Sequence, residues 1–200
     1  MSSFPEWVWD LVDLAAALAG GAVEAEAAAL GRLEAADRLL EVEETLLQSH
    51  LFLGYPAALE AFRRWRARGV APPEAAREGS ELWRRRGKEI CRLVYADSYE
   101  RLRKNVAALH PDLDRWMVID GYGKVLGRPE LSLSVREMCI VAMLVVMGTG
   151  PQLRAHLMGA LNAGVPADQI DELVRRAGGR AAPENAELAR ELWSTVRAKV

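Results

Sequence analysis

Glu137 and His156 are the residue pair in this chain best suited to moving a proton. Glu137 opens an unbroken apolar stretch from Met138 to Met147, which is followed by Gly148-Thr149-Gly150-Pro151 and then Gln152-Leu153-Arg154-Ala155-His156. Two helices joined by that Gly/Pro turn would face each other. Carboxylate and imidazole would then be offset along the helix axes by roughly 7–8 Å, which their side chains span. Imidazole titrates near neutrality and exchanges protons readily, while a carboxylate on its other nitrogen fixes the tautomer and stabilises the imidazolium. Arg128, Arg136 and Arg154 are nearby guanidinium groups able to hold an anionic group of a bound molecule.

Competing readings exist for each of these residues. Ser134-Val135-Arg136-Glu137 has the form of a capping box, in which Glu137 would only close a helix end. A cap at Ser132 instead would put Glu137 beyond the first turn. His156 also suits a satisfied core or interface position, and His110 before Pro111 reads as a helix start. Glu44 and Gln48 share a helix face and read as solvated, with a second polar pocket as the alternative. His50 lies on the same predicted hairpin. Trp65, Trp83 and Trp116 read as core or interface aromatics. The Arg63–Arg68 and Arg84–Arg86 clusters read as solvated faces balanced by nearby acids.

The elements that must position the pair are helical. Half of the 200 residues are hydrophobic. Ala, Leu, Glu and Arg dominate and strand formers are sparse, so the class is all-α. Helices are expected over Trp7–Leu18, Val23–Leu53 with a break near Gly31, Ala57–Arg68, Glu81–Leu109 with a break near Gly87, and His110 to about Leu126. Further helices are expected over Ser134–Met147, Pro151–Ala163, Ala167–Ala177 and Pro183–Lys199. The length fits a single helical domain over residues 1–200.

Composition narrows the function class. A net charge of −2 gives no reason to expect nucleic acid or an anionic membrane. Met138–Met147 is about half the roughly 20 residues a membrane span needs. Cys91 and Cys139 form neither a local dithiol nor a zinc cluster and fit a reducing compartment. The opening Met1-Ser2-Ser3-Phe4-Pro5-Glu6 has no basic cluster, which speaks against a signal peptide and for a cytoplasmic protein.

A faint internal repeat is also visible. Glu43–Gly54 has the length and pattern of Glu137–Gly148, and each is followed by a proline-opened helix and then Gly-Val, at Gly69-Val70 and Gly164-Val165. A divergent first repeat over residues 22–86 and a second over 110–178 follow from that alignment.

The second half resembles the carboxymuconolactone decarboxylase family, which includes alkylhydroperoxidase D. The residues that carry the resemblance are His110-Pro111-Asp112, Gly121-Tyr122-Gly123, Gly127-Arg128-Pro129, Leu133, Arg136-Glu137, His156 and Gly159-Ala160-Leu161-Asn162-Ala163-Gly164-Val165. It implies an alkylhydroperoxidase-D-like bundle of antiparallel helical hairpins and a homo-oligomer built as a trimer or hexamer. The peroxidase branch carries Glu, then Cys-x-x-Cys, then His. Counted from Glu137, its cysteine positions fall on Thr149 and Gln152 and its histidine on His156. Both thiols are missing and both acid/base residues remain, as in the decarboxylase branch.

The resulting expectation is a decarboxylase-like lyase, or a related proton-transfer enzyme, acting without metal or organic cofactor on a small carboxylated metabolite. Glu137 and His156 would be catalytic, and Arg128, Arg136 and Arg154 would bind substrate. A peroxiredoxin-type peroxidase and a non-catalytic oligomeric scaffold are the alternatives.

Overall fold

The computed structural model describes residues 4–75 and 77–199. Met1, Ser2 and Ser3, part of the N-terminal stretch considered above, lie outside the described residues. The chain forms helices α1 (Glu6–Gly20), α2 (Val23–Ala35), α3 (Leu39–Arg66), α4 (Ser80–Tyr95), α5 (Tyr99–Leu109) and α6 (Pro111–Trp116). A π-helix (Met117–Leu126) follows, then α7 (Leu133–Met147), α8 (Gly150–Asn162), α9 (Ala167–Gly178) and α10 (Pro183–Arg197). The described residues contain no strand, and the architecture is the all-α bundle expected.

Helix α7 lies at the centre. Every residue from Val135 to Val145 is buried, and α1, α3, α8, α9 and α10 pack around it. An eleven-residue stretch that is apolar on nearly every side has no solvent face to offer, so other helices must surround it. Gly148, at φ 69°, closes α7 in the left-handed conformation that glycine adopts without a Cβ penalty. The chain then reverses into α8, giving the expected antiparallel hairpin.

Several helix ends differ from the sequence expectation. The break expected at Gly31 occurs after Ala35, where Asp37 takes φ 55°. The break expected at Gly87 occurs at Ala96, where φ is 43°. The stop expected at Gly54 is a kink (φ 78°, ψ 166°) inside α3, which runs on to Arg66. Gly54 and Gly148, and again Gly69 and Gly164, share a positive φ, although Gly54 has ψ 166° where Gly148 has ψ 27°.

Gly87 and Gly123 are close-packing positions. A Cβ on Gly87 would stand 2.0 Å from the Val118 carbonyl oxygen, and one on Gly123 would stand 2.2 Å from that of Trp83. Helix α4 and the π-helix therefore meet backbone to backbone, which only glycine permits. The same contact fixes one wall of the cavity described below.

Gly123→Ala is expected to lower the unfolding free energy by at least about 1–3 kcal/mol, because its methyl group has backbone rather than a movable side chain in its path. Gly121→Ala, which has open space around it, should cost less. Urea denaturation of the two variants checks this, and equal midpoints would refute the close-packing role.

Candidate active site

Ser132 caps α7: its backbone is extended and its hydroxyl accepts from the Val135 N–H at 3.4 Å. Glu137 therefore lies beyond the first turn and has no part in the cap. Its side chain crosses to α8, where Oε2 lies 2.8 Å from His156 Nδ1. Glu137 is fully buried and His156 is 6% exposed. Gly159 makes room for the carboxylate, since a Cβ there would sit 2.8 Å from Oε2. Glu137 Oε1 is buried with no hydrogen-bond partner among the described residues.

The carboxylate occupies Nδ1 and so leaves Nε2 as the nitrogen available for chemistry. His156 lines a cavity of about 400 Å³ whose apolar walls come from Leu51, Phe52, Leu113, Trp116, Met117 and Leu126. Tyr95, Asp120 and Tyr122 are its other polar side chains. The Phe52 ring stands edge-on to the imidazole at 5.8 Å, and the Tyr95 ring does so at 6.4 Å. An orienting carboxylate behind an imidazole, with a mostly apolar cavity in front, is an arrangement able to exchange a proton with a bound molecule.

The candidate arginines do not line this cavity. Arg136 is fully buried toward α3, where Nη2 donates to Glu44 Oε2 at 2.7 Å, while Nε donates to the Leu131 carbonyl at 3.1 Å. Arg128 grips the same carboxylate, with Nε and Nη2 within 2.9–3.0 Å. Gln48 completes the cluster through contacts of 3.4 Å to the Arg136 side chain and carbonyl. Burial lowers the pKa of Arg136, partly offset by its bond to Glu44. The bond to Glu44 raises the pKa of Arg128 despite desolvation.

This corrects two sequence expectations. Arg136 and Arg128 are counter-charges to a buried Glu44 rather than groups free to take a substrate carboxylate. Glu44 and Gln48, read as a solvated face, are 2% and 0% exposed. Arg154 is exposed and lines a separate groove of about 750 Å³ together with Arg101, Lys199 and Asn105; Tyr95 borders both spaces.

The other histidines have local partners. His110 Nδ1 accepts from the Asp112 N–H at 3.1 Å and caps α6. His50 Nδ1 lies 2.6 Å from the Leu47 carbonyl oxygen.

Cys91 and Cys139 are both buried, and desolvation pushes each thiol up to about 12. Thiolate is the reactive form, so neither is poised for redox work. Among the described residues, no group of three or more His, Cys, Asp or Glu side chains converges to hold a metal ion. No helix among them is long and apolar enough to cross a membrane.

The site residues that sequence reading did not assign are Tyr95, Tyr122 and Phe52. Tyr122, between Gly121 and Gly123, was part of the resemblance but carried no role. Phe52 fell within the divergent first repeat but carried no role, and Tyr95 comes from a helix far away in the chain that no local motif flags.

The profile of the carboxymuconolactone decarboxylase family matches residues 98–194, a segment that holds Glu137, His156 and Tyr122. Over that segment, just under half of the chain, the protein is similar to the carboxymuconolactone decarboxylase family. Among curated relatives, 4-carboxymuconolactone decarboxylase of Acinetobacter baylyi is 28% identical over 91 residues, 45% of this chain and 68% of that protein. Peroxisomal protein 2 of Schizosaccharomyces pombe is 29% identical over 136 residues, 65% of this chain and 63% of that protein. Peroxisomal protein 2 of Saccharomyces cerevisiae is 33% identical over 79 residues, 39% of this chain and 28% of that protein. The chain thus spans less than two thirds of the length of either yeast relative.

Two predictions follow from the buried groups. Glu44→Ala strands the Arg136 charge inside the protein and is expected to cost about 3–5 kcal/mol by denaturant titration; a loss below about 1 kcal/mol would show that the cluster is not structural. The thiols should resist a thiol-reactive dye at pH 8 until denaturant is added. Their folded pKa values lie above the usual 9.0. Their neutral forms therefore contribute stability that is fully present below about pH 9 and is lost as the pH rises toward 12. Replacing both with serine should flatten that alkaline loss.

Proposed function

We infer that this chain is a carboxymuconolactone-decarboxylase-like enzyme that decarboxylates, or moves a proton on, a small carboxylated metabolite. The observation carrying the reading is the buried 2.8 Å bond from Glu137 Oε2 to His156 Nδ1 at the edge of a mostly apolar cavity. When the substrate's C–CO₂ bond breaks, carbon dioxide leaves and the electron pair passes into the conjugated system as an enolate. Imidazolium Nε2–H then delivers a proton to carbon, and solvent re-protonates His156. Glu137 holds the ring in the tautomer this requires and stabilises its charged form. Of the three arginines, Arg154 is the exposed one, and in this reading it guides an anionic substrate. No step calls on a metal or organic cofactor.

A thiol peroxidase is the weaker reading, because Thr149 and Gln152 occupy the dithiol positions and both cysteines are buried. We further propose a homo-oligomer, a trimer or hexamer. In support, Tyr55, Leu59, Leu109, Leu113 and Trp116 are 69%, 54%, 80%, 47% and 50% exposed, and such side chains favour burial between subunits. The peroxisomal names of the two yeast relatives weigh against the cytoplasmic location expected from the cysteines.

The test is carbon dioxide release from 4-carboxymuconolactone and a panel of small lactone and keto acids, with hydroperoxide reduction run alongside. His156→Ala and Glu137→Gln are each expected to slow turnover of the preferred acid by about 10²–10⁴-fold. The double variant should be little worse than either single, because the two residues act as a unit. Full activity in both single variants would overturn the reading. Hydroperoxide reduction lost in Cys139→Ser would put the peroxidase reading ahead.

A further inference from the structure

Tyr95 and Tyr122 both line the cavity that holds His156, and their hydroxyls are joined. Tyr122 Oη donates to Tyr95 Oη at 3.1 Å, and the rings meet at a centroid distance of 6.0 Å and an angle of 78°. Tyr122 is 3% exposed, and Tyr95 Oη is its one hydrogen-bond acceptor among the described residues. With the Tyr122 proton committed to Tyr95, the proton of Tyr95 has no acceptor within the described protein. We propose that Tyr95 is an oxyanion-binding residue of this cavity, donating its hydroxyl proton to an enolate or phenolate oxygen beside His156, and that Tyr122 positions and polarises it.

Three observations support the assignment. A hydroxyl that accepts one hydrogen bond becomes a stronger donor in the next, so the Tyr122–Tyr95 order aims donor strength at the cavity. Burial pushes both phenols above their usual range, which keeps them protonated donors. The geometry is also held in place. Tyr122 sits on the π-helix pinned by the Gly87 and Gly123 contacts, and Tyr95 immediately precedes Ala96, whose φ of 43° is costly for a residue with a Cβ. A donor fixed where charge develops stabilises an enolate without reorganising. The proposal extends the proton-transfer reading by adding a group for the oxygen of the enolate whose carbon His156 protonates. It also narrows the ligand class to a small, flat acid whose loss of carbon dioxide leaves an enolate oxygen beside His156.

The test uses 4-nitrophenolate as the probe and nitrobenzene as a neutral partner of similar shape, each titrated into the full chain. Wild type is expected to bind the phenolate more tightly than nitrobenzene. Tyr95→Phe should weaken phenolate binding about tenfold or more and leave nitrobenzene within about twofold. Tyr122→Phe should weaken phenolate binding about threefold, and the double variant should match Tyr95→Phe, because Tyr122 acts through Tyr95. A merely structural role would weaken both probes equally. The proposal is overturned if wild type shows no preference for the phenolate, or if Tyr95→Phe retains it. If His156→Ala leaves turnover intact while these binding results hold, the decarboxylase reading fails and the oxyanion site stands. The reverse pattern removes the oxyanion site alone.

Discussion

Helix α7 has to bury two neighbouring ionisable side chains, Arg136 and Glu137, inside a shell of other helices. Removing an ion from water costs several kcal/mol even after the surroundings relax, unless a partner and further hydrogen bonds answer it. The two residues leave the helix in different directions and must be answered separately. Arg136 finds Glu44 on α3, with Arg128 and Gln48 beside it; Glu137 finds His156 on α8. Much of the bundle can be traced to that requirement. The apolar residues between Met138 and Val145 draw the helices around α7, and the two polar contacts fix which helix faces which side.

The two answers differ in kind. Around Glu44 the opposing charges are enclosed, and Arg136 donates to the carboxylate, to the Gln48 side chain and to backbone carbonyls. Around Glu137 the partner is an imidazole with a second nitrogen, and one carboxylate oxygen is left without a hydrogen bond among the described residues. The first cluster is closed and carries structure. The second is open toward a cavity, where the free nitrogen can act on a molecule the protein does not itself supply.

Much of this was legible in the sequence. The Gly148–Pro151 turn and the apolar run before it gave the hairpin, and the Glu137/His156 spacing gave the contact. The Ser132 alternative resolved whether Glu137 was a cap. The fate of the arginines was not legible, because Arg136 and Glu44 are far apart in the chain and only the packing of α3 against α7 joins them. The same holds for Tyr95 and Phe52. Helix breaks at Asp37 and Ala96 were missed because glycine was taken as the breaking residue, whereas Gly31 and Gly87 lie within helices and Gly87 serves a backbone contact. The π-helix was foreseen only as a weakened helix, since Gly121 and Gly123 signal loss of α-helical order without naming its replacement.

That π-helix divides labour within the site. The Glu137–His156 bond belongs to α7 and α8, deep in the bundle, where most substitutions disturb the fold. Met117, Asp120, Gly121 and Leu126 come from the π-helix, and Leu113 and Trp116 from the short helix before it. Changes at those positions alter the size and polarity of the space while the Glu137–His156 pair keeps its geometry. A lineage carrying this scaffold could therefore reshape that space by varying a single peripheral segment, with the buried Glu137–His156 contact inherited unchanged.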